Sequence, residues 1–188
     1  MKRQDINLIK EKLSVLIDQP LQDISRGGGS IFISFGELIE KDVWNRDEDG
    51  NKINERKVLT GKYALHIECC SRFVCEDKVV LGKFDLYEPK SDNWGNEDFD
   101  WDNFDWDIKG NNRYDELAEK YFSEDSPKFI AKNISVNKIG DLKISLTNDF
   151  VLEIFADASD DSEYWRFFES GNKDQEHLVV TGQGIGQG

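Results

Sequence analysis

Few residues in this chain could act as nucleophile, base or metal ligand, and they are thinly spread. His66, Glu68 and Cys70 alternate along Tyr63-Ala64-Leu65-His66-Ile67-Glu68-Cys69-Cys70, so on a strand they project from one face. Imidazole, carboxylate and thiolate are zinc donors. Alternate strand positions, however, lie about 6.5 Å apart, too far for three neighbours to grip one ion. No Cys-x-x-Cys or His-x-x-x-His pair accompanies them. A structural histidine beside half-buried thiols is the expectation. Arg72, Arg166 and the second histidine, His177, complete the set. If folding gathered His66, Arg72, Arg166 and His177, they would line the pocket of a small enzyme or ligand-binding domain.

Other motifs fail on one needed residue. Asn45, Asp47, Asp49 and Gly50 fit the first, third, fifth and sixth positions of a calcium loop. The twelfth position, which must be a bidentate Glu, is Arg56, and Glu55 falls one short. A solvated hairpin loop over Asn45 to Glu55 is expected instead. Gly61-Lys62 is followed by Tyr63 rather than Ser or Thr, which excludes a phosphate loop. Gly182, Gly184 and Gly186 precede no helix and read as a flexible tail. Gly27-Gly28-Gly29-Ser30 lacks the glycine that a nucleophile elbow needs after its serine. With 38 acidic residues, carboxylate pairs arise by chance and none is singled out. The reading is therefore no enzyme, no metal and no cofactor.

One segment is unusual. From Asp92 to Asp107 there are seven acids and no Lys or Arg, and three of the five tryptophans fall in it. Phe99-Asp100-Trp101-Asp102 is echoed by Phe104-Asp105-Trp106-Asp107. A tryptophan anchors a contact at low entropic cost, and aspartates beside it offer oxygens to Lys or Arg. Trp94, Asp98, Asp100, Trp101, Asp102, Asp105, Trp106 and Asp107 are thus candidate partner-binding residues. The other reading is that some rings fold back onto the body as a satellite cluster. Both can hold for different residues.

The elements that must position these residues follow from hydrophobic period. Ile6, Ile9, Leu13, Leu16 and Ile17 recur at helical spacing, with Asp5 as N-cap and Pro20 as the stop. Period two then takes over in Leu21 to Ser25, Ser30 to Leu38, Val58 to Val74 (one strand or two) and Val79 to Tyr87. Arg113 to Ser123 predicts a second helix. Further strands are predicted at Phe129 to Lys138, Leu142 to Thr147, Phe150 to Ala156, Tyr164 to Glu169 and His177 to Thr181, with a tight turn at Asn148-Asp149. This order predicts one α+β domain over residues 1–188. It has an N-terminal helix, one further helix, a mostly antiparallel sheet and an acidic aromatic insertion at about 91–110.

Composition narrows the function. The 188 residues carry net charge -14, a field that repels phosphate and disfavours direct nucleic-acid binding. No stretch reaches the roughly 20 apolar residues that span a bilayer, and the first residues lack a signal peptide's apolar core. Three cysteines make a poor disulfide framework, so a reducing cytoplasm is expected.

Tyr63-Ala64-Leu65-His66 with Arg72, then Glu163-Tyr164-Trp165-Arg166-Phe167, then His177 to Gly182 resembles a loosely defined group of small uncharacterised bacterial proteins. The chain also has a general likeness to the immunity proteins of bacterial toxin systems. That likeness implies a small cytoplasmic α+β protein that neutralises a basic, nuclease-type toxin by masking it. The expectation is accordingly an acidic, non-enzymatic binding protein with a basic protein partner. The alternative is a small enzyme or ligand-binding domain built on the His66, Arg72, Arg166 and His177 pocket.

Overall fold

The computed structural model describes residues 1–46, 51–123, 125–172 and 176–186. Helix α1 (Arg3–Leu13) buries Ile9 and Leu13, and Leu16 in the following 3-10 turn continues the same face. Its N-cap is Lys2, not Asp5. Asp5 sits at the third helical position and its carboxylate accepts the Lys2 N–H at 2.9 Å, which satisfies the donor of the N-cap residue itself.

The strands are β1 (Leu21–Gly27), β2 (Ser30–Arg46), β3 (Lys52–Ile67), β4 (Cys70–Cys75), β5 (Lys78–Gly82), β6 (Ala131–Val136), β7 (Leu142–Leu146), β8 (Phe150–Phe155), β9 (Glu163–Glu169), β10 (Leu178–Thr181) and β11 (Gly184–Gly186). Helix α2 (Arg113–Phe122) lies between β5 and β6. All pairings among the described residues are antiparallel, and they form two sheets. One runs β1-β2-β3-β9-β10-β11 and the other β5-β4-β8-β7-β6. The α+β class and antiparallel pairing match expectation; the division into two sheets does not follow from period alone.

That division has a clear cause. Ile31, Ile33 and Phe35 of β2, Leu65 and Ile67 of β3, and Trp165 and Phe167 of β9 are buried at alternate positions. So are Phe73 of β4, Leu142 and Ile144 of β7, and Leu152 and Ile154 of β8. Two pleated surfaces, each apolar on one face, can only bury those faces against each other, and they share one continuous core. The chain changes sheets at Glu68-Cys69, whose two N–H groups donate to Tyr164 O at 2.9 and 3.1 Å. Trp165 is fully buried and its Nε1 donates to Gly140 O at 3.1 Å.

Three predicted stretches differ. Within the expected Asn45 to Glu55 loop most of the described residues are strand: Arg46 pairs with Lys52, Asn45 with Ile53 and Trp44 with Glu55. Two solvated strands satisfy each other's backbone, and cross-strand charges such as Lys57 on Glu40 at 2.8 Å suit an exposed pair. The calcium-loop positions Asp47, Asp49 and Gly50 lie outside the described residues. The glycine-rich tail pairs as β11, with Ile185 opposite Val180. The second half of Val79 to Tyr87 is a 3-10 turn, Lys83–Tyr87. The Asn148-Asp149 turn is as expected, both residues left-handed with φ of 59°.

Trp165→Ala is expected to cost about 3–5 kcal/mol of stability through the cavity it leaves. Trp165→Phe should cost less, about 1–3 kcal/mol, chiefly by removing the donor to Gly140 O. Urea melts of both variants check this; equal losses would mean that the Nε1 hydrogen bond, which both variants remove, carries the cost and the cavity adds nothing.

Candidate functional site

The acidic aromatic segment is a surface excursion pinned at both ends. Where it leaves and returns, Pro89 and Asn112 form an isolated antiparallel bridge, and Arg113 N donates to Glu88 O at 2.8 Å. Asn112 is fully buried and serves two elements. Its Oδ1 caps α2 by accepting the Asp115 N–H at 2.9 Å, and its Nδ2 donates to Trp106 O at 2.8 Å. Ser91 N and Oγ donate to the Glu116 carboxylate at 2.8 and 2.9 Å.

The strongest anchor is one the sequence did not single out. Arg26 lies on the core-facing side of β1, with only 6% of its side chain exposed. Its Nε and Nη2 each donate to the Asp115 carboxylate at 2.9 Å. Nη1 reaches Asp107 Oδ1 at 3.3 Å, and Nη2 also reaches Ile108 O at 3.2 Å. Gly110 N donates to Asp115 at 2.6 Å. Burial pulls the Asp115 carboxyl upward. The Arg26 and Gly110 hydrogen bonds, with the Arg26 and Lys109 charges, outweigh it and hold the group below the ordinary carboxylate range.

These anchors sort the aromatic rings. Trp106 turns inward, edge-on to Tyr87 at 5.0 Å between centroids. Phe99, Trp101 and Phe104 pack edge-to-face on one another at 4.9, 5.6 and 6.0 Å. Trp101 nonetheless keeps 58% of its surface in solvent. Trp94 keeps 55%, with the Arg113 guanidinium over its ring at 4.0 Å. The fold-back reading therefore holds for Trp106 and not for Trp94 or Trp101. Trp106 and Asp107 are structural, while Trp94, Trp101, Asp98, Asp100, Asp102 and Asp105 are on the surface. The Asp100 carboxylate accepts the Asn103 side-chain and backbone N–H groups, which hold its pKa down.

Trp94 and Trp101 flank an open cleft of about 530 Å³, whose lining includes Glu88, Asn93, Asn96 and Glu97. Glu88, Asn93 and Asn96 carried no signal in the sequence, because nothing local shows that the chain doubles back there. Aromatic faces beside carboxylates suit the cationic side chain of another protein.

The second predicted group comes together only in part. His66 and Arg166 are cross-strand partners on β3 and β9, and Phe168 of β9 stacks on His177 at 4.3 Å. His66 stacks on Phe32 at 4.4 Å. Glu68 Oε1 is 2.8 Å from His66 Nε2, but the geometry does not make a hydrogen bond. Burial, then the Arg166 charge, pushes His177 below its ordinary value. Arg166 is already held by both oxygens of Glu163. Arg72 does not join them: it lies on β4 in the other sheet, bound to Glu153 at 2.8 Å. The chain crosses between sheets after His66, which separates the two. None of the four lines the Trp94–Trp101 cleft.

Among the described residues no three His, Cys, Asp or Glu side chains gather as a metal site. All three cysteines are free thiols, and burial above all pushes Cys69 up to about 12, so it is no nucleophile at neutral pH. No helix is long and apolar enough to cross a membrane among the described residues. No family model, curated protein or solved structure matches the chain.

The Arg26–Asp115 pair gives stability a definite acid dependence. A depressed carboxylate contributes stability that is fully present above its unfolded pKa, near 3.9, and is lost as pH falls through the lower folded value. Asp115→Asn should destabilise the chain by about 1–3 kcal/mol at pH 7. It should also flatten the loss of stability below about pH 4. Urea melts from pH 7 to 2.5 on wild type and variant check this; parallel pH profiles would show that the pair is not the acid-sensitive contact.

Proposed function

We propose that the chain is an acidic, non-enzymatic binding protein that engages a basic protein partner through the Trp94–Trp101 cleft and the carboxylates beside it. The observation that carries this reading is the exposure of two tryptophans on an excursion that is otherwise firmly anchored. A tryptophan more than half in water contributes little to folding, yet it is the residue type that dominates interface energetics. Asp98, Asp100, Asp102 and Asp105 are exposed on the same excursion. In a chain of net charge -14 they extend a field that attracts a cationic surface and speeds its approach. A nuclease-type toxin has such a surface, because its own substrate is a polyanion. Masking it would be immunity, in keeping with the general likeness to immunity proteins. The alternative of a ligand pocket loses support from the separation of Arg72 from His66, Arg166 and His177.

The test uses two sets of variants as bait in a pull-down from the source cell at low salt. Changing Asp98, Asp100, Asp102 and Asp105 together to Asn should slow association and reduce its salt sensitivity, leaving melting unchanged. Trp94→Ala or Trp101→Ala should weaken binding by about 2 kcal/mol or more. Each should change stability by less than about 1 kcal/mol. Retention of the same basic protein by wild type and every variant would overturn the assignment of this surface.

A further inference from the structure

Strand β1 is an outer strand of the six-stranded sheet, and only its first part is covered. Leu21 N donates to Phe129 O at 2.7 Å, and Ala131 N donates to Gln19 O at 2.9 Å. Residues 129–131 thus run as a short antiparallel companion along 18–21. Beyond Leu21 that companion is gone. The β1–β2 hairpin closes with Gly27 opposite Ser30 around the two-residue turn Gly28-Gly29. In such a hairpin the closing pair is hydrogen-bonded and alternate pairs follow it. Gly27, Ser25 and Asp23 therefore point their peptide groups at β2, and Arg26 and Ile24 point theirs away from it. Neither outward-facing backbone makes a hydrogen bond to any described residue.

A groove of about 1160 Å³ runs along this edge. Residues 21–28 form one wall, and Ala118, Glu119 and Phe122 of α2 stand on the other. We propose that the groove is a β-augmentation site, in which an extended basic segment of a partner protein adds as a further strand on β1. The backbone requires an extended occupant, because only a strand presents donors and acceptors at the spacing of Ile24 and Arg26. The stretch 129–131 already pairs with this edge in that way. Charge selects the occupant. Arg26 is engaged by Asp115 and Asp107, and Asp23, Glu119 and Asp125 then exceed Lys109 and Lys128 along the groove. A second copy of this chain, at net charge -14, would be repelled. Alternate side chains of the added strand would face Ala118 and Phe122, and the others the acids and solvent.

The site stands apart from the Trp94–Trp101 cleft, with which it shares no lining residue. The probe is a blocked octapeptide alternating lysine and valine, titrated into the ¹⁵N-labelled full chain. Saturable shifts and slowed exchange at the Ile24 and Arg26 amides are expected. N-methylation of alternate peptide nitrogens should weaken binding at least about tenfold, as should an alternating glutamate–valine sequence. Ile24→Pro removes one outward donor at an edge position, where proline is tolerated. Glu119→Lys reverses one exposed charge on the facing wall. Each should weaken binding several-fold with melting little changed for Glu119→Lys. No saturable shift at Ile24 or Arg26 up to about 1 mM peptide overturns the proposal. Shifts confined to the Trp94 and Trp101 amides, or binding indifferent to N-methylation, also overturn it; the first would leave the Trp94–Trp101 reading standing. Dimerisation through β1 in sedimentation would overturn it in favour of a second copy.

Discussion

The buried guanidinium of Arg26 is the contact that the surface architecture depends on. A cation with 6% of its side chain exposed is tolerable only when it is paired and hydrogen-bonded. The groups that satisfy it come from different parts of the chain: Asp115 on α2, Asp107 and Ile108 on the acidic segment. Satisfying one charge therefore locates a helix and the returning end of a long loop against β1. Removing Asp115 would leave that buried charge largely uncompensated, while Tyr114 and Leu117 keep α2 on the core through apolar contact.

That constraint explains how two nearly identical motifs acquire different roles. Phe99-Asp100-Trp101-Asp102 and Phe104-Asp105-Trp106-Asp107 read alike. The second copy is drawn inward by Arg26 on Asp107, by Asn112 on the Trp106 carbonyl and by Tyr87 on its ring. The first copy has only Phe99, Phe104 and the Asn103 amide for company, so Trp101 stays in water. The same short sequence thus supplies an anchor once and an exposed aromatic surface once. On the outer face of the larger sheet, His66 stacks on Phe32, His177 stacks on Phe168, and Arg166 is held by Glu163.

Edges and faces of the two sheets divide the labour. The inner faces hold the core, including the buried Trp165. β1 is left open along Ile24 and Arg26, beside a helix that the Arg26 pair holds at a distance. A sheet edge facing a helix, and a firmly tethered loop bearing exposed tryptophans, are both surfaces shaped by the fold itself, which would lower the ordering cost of the proposed associations.

Local pattern alone determined much of this protein. Alternation at Ile31, Ile33 and Phe35, helical spacing at Ile9, Leu13 and Leu16, and the left-handed tolerance of Asn148 and Asp149 were legible because backbone geometry imposes those periods residue by residue. The acidic excess and the odd aromatic segment were legible as composition. Tertiary structure decided what period cannot encode. It split the strands into two sheets between His66 and Arg72, paired Trp44, Asn45 and Arg46 with Glu55, Ile53 and Lys52, and recruited the glycine tail as a strand. It also chose Trp94 and Trp101 over Trp106 for exposure, and gave Arg26 its importance. Each of these outcomes depends on partners far apart in the chain, where the deciding energies are the burial of apolar faces and the pairing of a desolvated charge. No window of neighbouring residues contains both sides of such a contact.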